Sequence, residues 1–145
     1  MGTTNVAALD RTVQQTQAWL GHIAEDLGWE DHDKTYTILR AVLHTLRDRL
    51  PPDEAVDLAS QLPMLVRGIY FEGWHPGDKP LRYRNREEFL DRVCRAAPKL
   101  QADEAERAVM AVFRELSTEL DWGEVEEARE AVPREVRELW PKADL

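Results

Sequence analysis

The sequence is short of almost everything that marks a known chemistry. Its one cysteine, Cys94, has no partner for an intrachain disulfide, so no oxidised framework holds the fold and a reducing, cytoplasmic setting is expected. No apolar run approaches the roughly 20 residues that span a bilayer. Residues Met1 to Ala8 have neither the basic stretch nor the apolar stretch of an export signal. Glycine-rich phosphate loops are missing, and Ser60 and Ser117 lack the glycine-flanked elbow of a hydrolase nucleophile. Of the histidines His22, His32, His44 and His75, no two are spaced to share a metal on one helix. His22 and Asp26 stand one turn apart on a polar face and read as surface residues, and Cys94 follows the stripe of Leu90, Val93 and Ala97 and reads as a small buried residue. No enzyme, no cofactor and no metal site is expected.

What is present is a globular composition. The 145 residues are 43% hydrophobic and 32% charged, enough to bury about 70% of the unfolded surface in a single compact domain over 1–145. With 28 acidic against 19 basic residues, the net charge is −9. That field repels phosphate backbones and anionic lipid, so neither nucleic acid nor membrane is an expected partner.

Sliding the sequence against itself by 70 residues, without a gap, brings its punctuation into register. Leu20 meets Leu90, Asp33 meets Asp103, Ala41-Val42 meets Ala111-Val112, Leu46 meets Leu116, Glu54 meets Glu124, Pro63 meets Pro133 and Arg67 meets Arg137. Shared apolar periodicity arises by chance. A shared mid-pattern proline, acidic residue and arginine do not. The expected architecture is therefore an all-α helical bundle of two tandem copies, about 12–72 and 82–141, related by a pseudo-two-fold, with a connector at about 73–85.

Helical spacing predicts four segments per copy: 12–27, 34–50, 52–61 and 63–72, then 86–97, 104–120, 122–131 and 133–140. Gly28 is placed to stop the first, and Asp33 to cap the second, whose seam runs Tyr36, Leu39, Leu43, Leu46 and Leu50. Pro52 suits a first helical position. Pro63 and Pro133 each interrupt a helix, because continuing through would cost about 3 kcal/mol. Asp121 with Glu124, and Asn85 with Glu88, have capping-box spacing.

The stretch Leu62-Pro63-Met64-Leu65-Val66-Arg67-Gly68-Ile69-Tyr70-Phe71-Glu72-Gly73-Trp74, preceded by Arg40 to Leu50, resembles a bacterial family designated domain of unknown function 2267. Val132-Pro133-Arg134-Glu135-Val136-Arg137-Glu138-Leu139-Trp140-Pro141 is similar to that family's weaker closing motif. The resemblance, from about Gln17 to Pro141, implies a duplicated all-helical protein and supplies no activity.

The connector is the unusual segment. Lys79, Arg82, Arg84 and Arg86 surround Tyr83 in an acidic chain, and Trp74 and His75 lie just before them. These seven residues are the candidate interaction surface, with pairing to the acidic body as the competing use. Arg67 and Arg137 are a candidate structural pair, since a guanidinium can reach the carbonyls that a proline break leaves free. The function expected is a non-enzymatic scaffold or interaction module with a protein partner or a second copy. The alternative is a small-molecule or metal site between the two copies.

Overall fold

The computed structural model describes residues 4–142, and the regular structure among them is entirely helical. Residues 1–3 and 143–145, which the expected 1–145 domain includes, lie outside the described residues. The helices are α1 (Ala7–Leu27), α2 (His32–Arg49), α3 (Pro52–Ala59), α4 (Met64–Phe71), α5 (Arg86–Ala96), α6 (Ala105–Glu119), α7 (Trp122–Ala131) and α8 (Arg134–Arg137). Single 3-10 turns at Pro76–Asp78 and Ala102–Glu104 complete the chain.

α1 begins at Ala7, five residues earlier than predicted, and two threonines continue its buried stripe toward the N-terminus. Thr12 and Thr16 are buried in line with Trp19 and Ile23, and the Thr16 hydroxyl donates to the Thr12 carbonyl at 2.8 Å. Gly28 ends the helix at φ 71°, a left-handed conformation that glycine adopts without a Cβ clash, while the amides of Gly28 and Trp29 return to the carbonyls of Glu25 and Ala24. The cap of α2 is Asp31 rather than Asp33: its carboxylate accepts from the Lys34 amide at 3.1 Å. Tyr36, predicted in the buried seam, is instead exposed. Thr35 holds the inward position of that first turn, and Tyr36 lies one residue further round the helix.

Pro63 and Pro133 sit just outside α4 and α8 with nearly the same backbone, φ −56° and ψ 152° against φ −59° and ψ 152°. The chain stops, turns and restarts at both. α8 is shorter than predicted, yet Leu139 and Trp140 beyond its end are buried. The Asp121 capping box does not form: Asp121 makes no side-chain cap, and the Glu124 carboxylate lies with Glu54 instead. Of the Asn85 box one half is present, Asn85 accepting from the Glu88 amide at 2.8 Å, while the Glu88 carboxylate pairs with Arg92 and Arg95.

α2 and α6 cross in the middle of the bundle. α2 packs on α1, α4, α5 and α6, and α6 on α1, α2, α5 and α7, while α3 lies against α7. Ile38, Leu39, Val42, Leu43 and Leu46 of α2 are wholly buried, as are Val109, Val112, Phe113 and Leu116 of α6. Phe113 stacks on Trp140 at 4.5 Å between ring centres and touches Phe89 at 5.9 Å. Such burial removes each side chain from water and leaves no room for collapse around a truncation. Leu43→Ala is therefore expected to cost about 2–5 kcal/mol and Phe113→Ala about 3–5 kcal/mol in chemical denaturation. Losses well below about 1 kcal/mol at both would place the core elsewhere.

Candidate functional site

The connector residues do not form one surface. Trp74 is half-buried with its ring 5.3 Å from that of Phe71, and its indole N–H is buried without a partner. Lys79 lies 2.6 Å from Asp78. The Tyr83 carbonyl accepts from Arg49 Nε at 2.8 Å, and the Tyr83 ring lies 5.7 Å from the Arg49 guanidinium and 5.1 Å from that of Arg92. Arg86 reaches Glu106 at 2.7 Å and Glu138 at 3.3 Å. His75, Arg82 and Arg84 remain exposed. The acidic body thus takes up much of the basic cluster.

Arg67 and Arg137 turn back to the breaks that precede them. Arg67 donates from Nε to the Ala59 carbonyl at 3.1 Å and from Nη2 to the Leu62 carbonyl at 2.9 Å. Arg137 donates from Nε to the Arg129 carbonyl at 2.9 Å and from Nη2 to those of Val132 and Glu130, at 3.2 and 3.3 Å. Both arginines supply donors to carbonyls that lost theirs at the proline.

Two polar residues missed by the sequence reading do similar work. Arg47, 5% exposed, donates to the carbonyls of Tyr70 and Glu72 and pairs with Asp48 at 3.1 Å, fastening the end of α4 to α2. His44, for which the sequence offers no metal partner on its helix, is half-buried and donates from Nε2 to the Ile69 carbonyl at 2.7 Å. Burial lowers its pKa, more than that bond raises it. Cys94 is half-buried rather than buried, and burial raises its thiol pKa. A raised pKa keeps it in the poorly nucleophilic thiol form.

Where α3 meets α7, Glu54 faces its 70-residue counterpart Glu124. Oxygens of Glu54, Glu124 and Glu127 lie within 4.8 Å of one another, and one oxygen each of Glu54 and Glu124 is buried with no donor. A proton on Glu54 lets the two carboxyls hydrogen-bond. Desolvation, the hydrogen bond with Glu124 and the negative charges of Glu124, Glu127 and Asp57 push the Glu54 carboxyl up to about 8.

Where α1 meets α6, His22 Nδ1 lies 2.8 Å from Oε2 of Glu115, with Glu119 one turn further along α6. His22 was paired in the sequence with Asp26, but Asp26 is held by Arg114 at 2.8 and 3.3 Å. Glu115 is 6% exposed, and its burial raises its pKa while the bond to His22 lowers it; the same bond raises the pKa of His22. Glu119 also lines an open cleft of about 420 Å³ with Gln15, Ser60, Gln61 and Arg67.

The chain also exposes an apolar face. Val6, Leu9 and Val13 repeat along one side of the start of α1, and Met64 and Leu65 open α4. The Leu65 amide donates to the Thr12 hydroxyl at 2.8 Å, which joins the start of α4 to the part of α1 that carries Leu9 and Val13. All five side chains are between 38% and 56% exposed.

Residues 16–139 match the family profile described as uncharacterized conserved protein, DUF2267. The chain belongs to this family. The DUF2267 region takes in Arg67, Arg137, the Glu54 pair and the His22 cluster, and leaves Val6, Leu9 and Val13 upstream of it. A search for curated relatives finds none that matches.

The Glu54 pair gives a pH dependence of known sign. A carboxyl whose pKa is raised on folding holds its proton in the folded state while the unfolded chain has released it. The pair's contribution to stability is then fully present below the unfolded value near 4.5 and is lost as pH rises from there to about 8. Glu54→Gln, which keeps a donor and removes the charge, is expected to raise the melting temperature at neutral pH and to flatten that fall. An unchanged pH profile of melting would show that the pair does not share a proton.

Proposed function

We propose that this chain is a non-enzymatic helical interaction module of the cytoplasm, one compact domain of two tandem copies related by a pseudo-two-fold. The pattern of helix packing supports the duplication. Exchanging α1 with α5, α2 with α6 and α3 with α7 turns the α1·α6 contact into α2·α5, and leaves α2·α6 and α3·α7 as they are. The matched proline conformations and the matched arginine bonds to residues 59 and 129, and to 62 and 132, support it as well.

The observation that carries the interaction reading is the apolar face of Val6, Leu9, Val13, Met64 and Leu65 in a protein of charge −9. Exposed apolar side chains on two joined helices mark a surface that gains by being covered. The connector contributes less to this reading, since Lys79, Tyr83 and Arg86 are engaged within the chain and only His75, Arg82 and Arg84 are exposed. The partner is another protein or a second copy, and the surrounding charge disfavours nucleic acid.

Sedimentation over a concentration range, together with capture from the source cell, tests this reading. Leu9→Glu combined with Leu65→Glu is expected to weaken self-association or a captured partner by at least about tenfold, because anchors at an interface centre are worth more than about 1 kcal/mol each. Arg82→Gln with Arg84→Gln is expected to change little. The reverse pattern would return the interaction surface to the connector. A second reading, a ligand held between the two copies, is favoured by one observation: a buried glutamate faces a histidine across the α1·α6 junction.

A further inference from the structure

We propose that His22, Glu115 and Glu119 form a site for one divalent transition-metal ion of the zinc class, held between α1 and α6. The proposal deepens the second reading by naming the ligand and its donors, and it does not depend on the apolar docking face.

The donors come from two rigid elements. Glu115 and Glu119 are four residues apart on α6, so their side chains lie on one face, one turn apart. α1 is packed along α6 and presents His22 to that face. One nitrogen and two carboxylate oxygens lie within 4.8 Å of one another. Bonds of about 2.0–2.2 Å in tetrahedral geometry put neighbouring donors about 3.4 Å apart. The His22–Glu115 separation of 2.8 Å then needs only a small side-chain rotation to admit an ion.

The charge at the junction points the same way. Glu115 is more than nine-tenths buried, and its single hydrogen bond among the described residues is the one to His22. A buried carboxylate is costly unless a cation or several donors compensate it. The arginine beside it in sequence, Arg114, is turned away onto Asp26. Glu119 and Glu25 add further negative charge around His22. The corresponding junction, α2 with α5, has Arg92 at the counterpart of His22, Thr45 at that of Glu115 and Arg49 at that of Glu119. At these three positions one junction thus carries two arginines and a threonine where the other carries a histidine and two carboxylates.

The donor set selects the class of ion. Imidazole with carboxylates suits zinc and its first-row neighbours, whereas magnesium and calcium prefer oxygen alone. The carboxylate cluster at α3 and α7 has no nitrogen donor. His22 is half exposed, which gives an ion access from solvent, and Glu119 borders the 420 Å³ cleft. Three protein donors leave at least one position for water or a small anion.

The test uses the full chain after treatment with chelator. Calorimetric titration with Zn²⁺ should show one ion per chain, and Co²⁺ should give the visible absorption of a low-symmetry, nitrogen-containing site. His22→Ala and Glu119→Gln should each weaken Zn²⁺ binding at least about tenfold, with helical content unchanged because both side chains are exposed. His75→Ala, at an exposed histidine outside the cluster, should change nothing. Mg²⁺ at the same concentration should not compete. The proposal is overturned by absent stoichiometric binding, by binding that survives both substitutions, or by equal loss with His75→Ala. A chain that binds no metal here yet is stabilised by a small molecule elsewhere between its halves would overturn the proposal and leave the second reading standing.

Discussion

At Pro63 and Pro133 the chain meets a residue that can neither continue a helix nor donate a hydrogen bond, and the carbonyls on the near side of the break have to be satisfied from elsewhere. Arg67 and Arg137 satisfy them from one turn inside the next helix. Because those carbonyls are paired, the chain can turn sharply and send its following segment back to the core. Tyr70 and Trp140 then arrive fully buried, the first donating to the Ala55 carbonyl at 2.9 Å and the second to the Ser117 hydroxyl at 2.8 Å. Arg47 secures the first of these returns by holding the carbonyls of Tyr70 and Glu72.

The junctions between the two halves differ in chemistry. At the centre, α2 and α6 bury aliphatic side chains, whose attraction has no directionality. At the periphery the contacts are polar: carboxyl against carboxyl at α3 and α7, histidine against glutamate at α1 and α6, guanidinium and tyrosine beside α2 and α5. Polar groups that partner only one another fix register, since a slip leaves each of them buried and alone.

The helical class, the proline breaks and most helix limits were legible in the sequence, because 3.6-residue periodicity and proline act locally. Asp33 and Tyr36 were misread where a neighbour one or two places away took the expected role, and Asp121 where its partner Glu124 turned to Glu54, differences that spacing cannot resolve. Membership of the family was legible from the segments around Pro63 and Pro133. The polar clusters were not. Glu115 lies 93 residues from His22, and nothing in a strip of alternating charge says which glutamate will be buried opposite which histidine. The apolar face was hidden for the same reason: Leu9 and Val13 have helical spacing, and only the Thr12–Leu65 bond shows that they stand beside α4 with nothing over them.

α1 starts at Ala7, whereas α5, 70 residues on from position 16, starts at Arg86. In the proposed duplication the first turns of α1 therefore have no counterpart, and among the described residues the apolar face they help build occurs once. An assembly formed through a single face is limited in number. Two copies meeting by the same face would close at a dimer, with no second face left to propagate a filament, and a different protein would bind one to one.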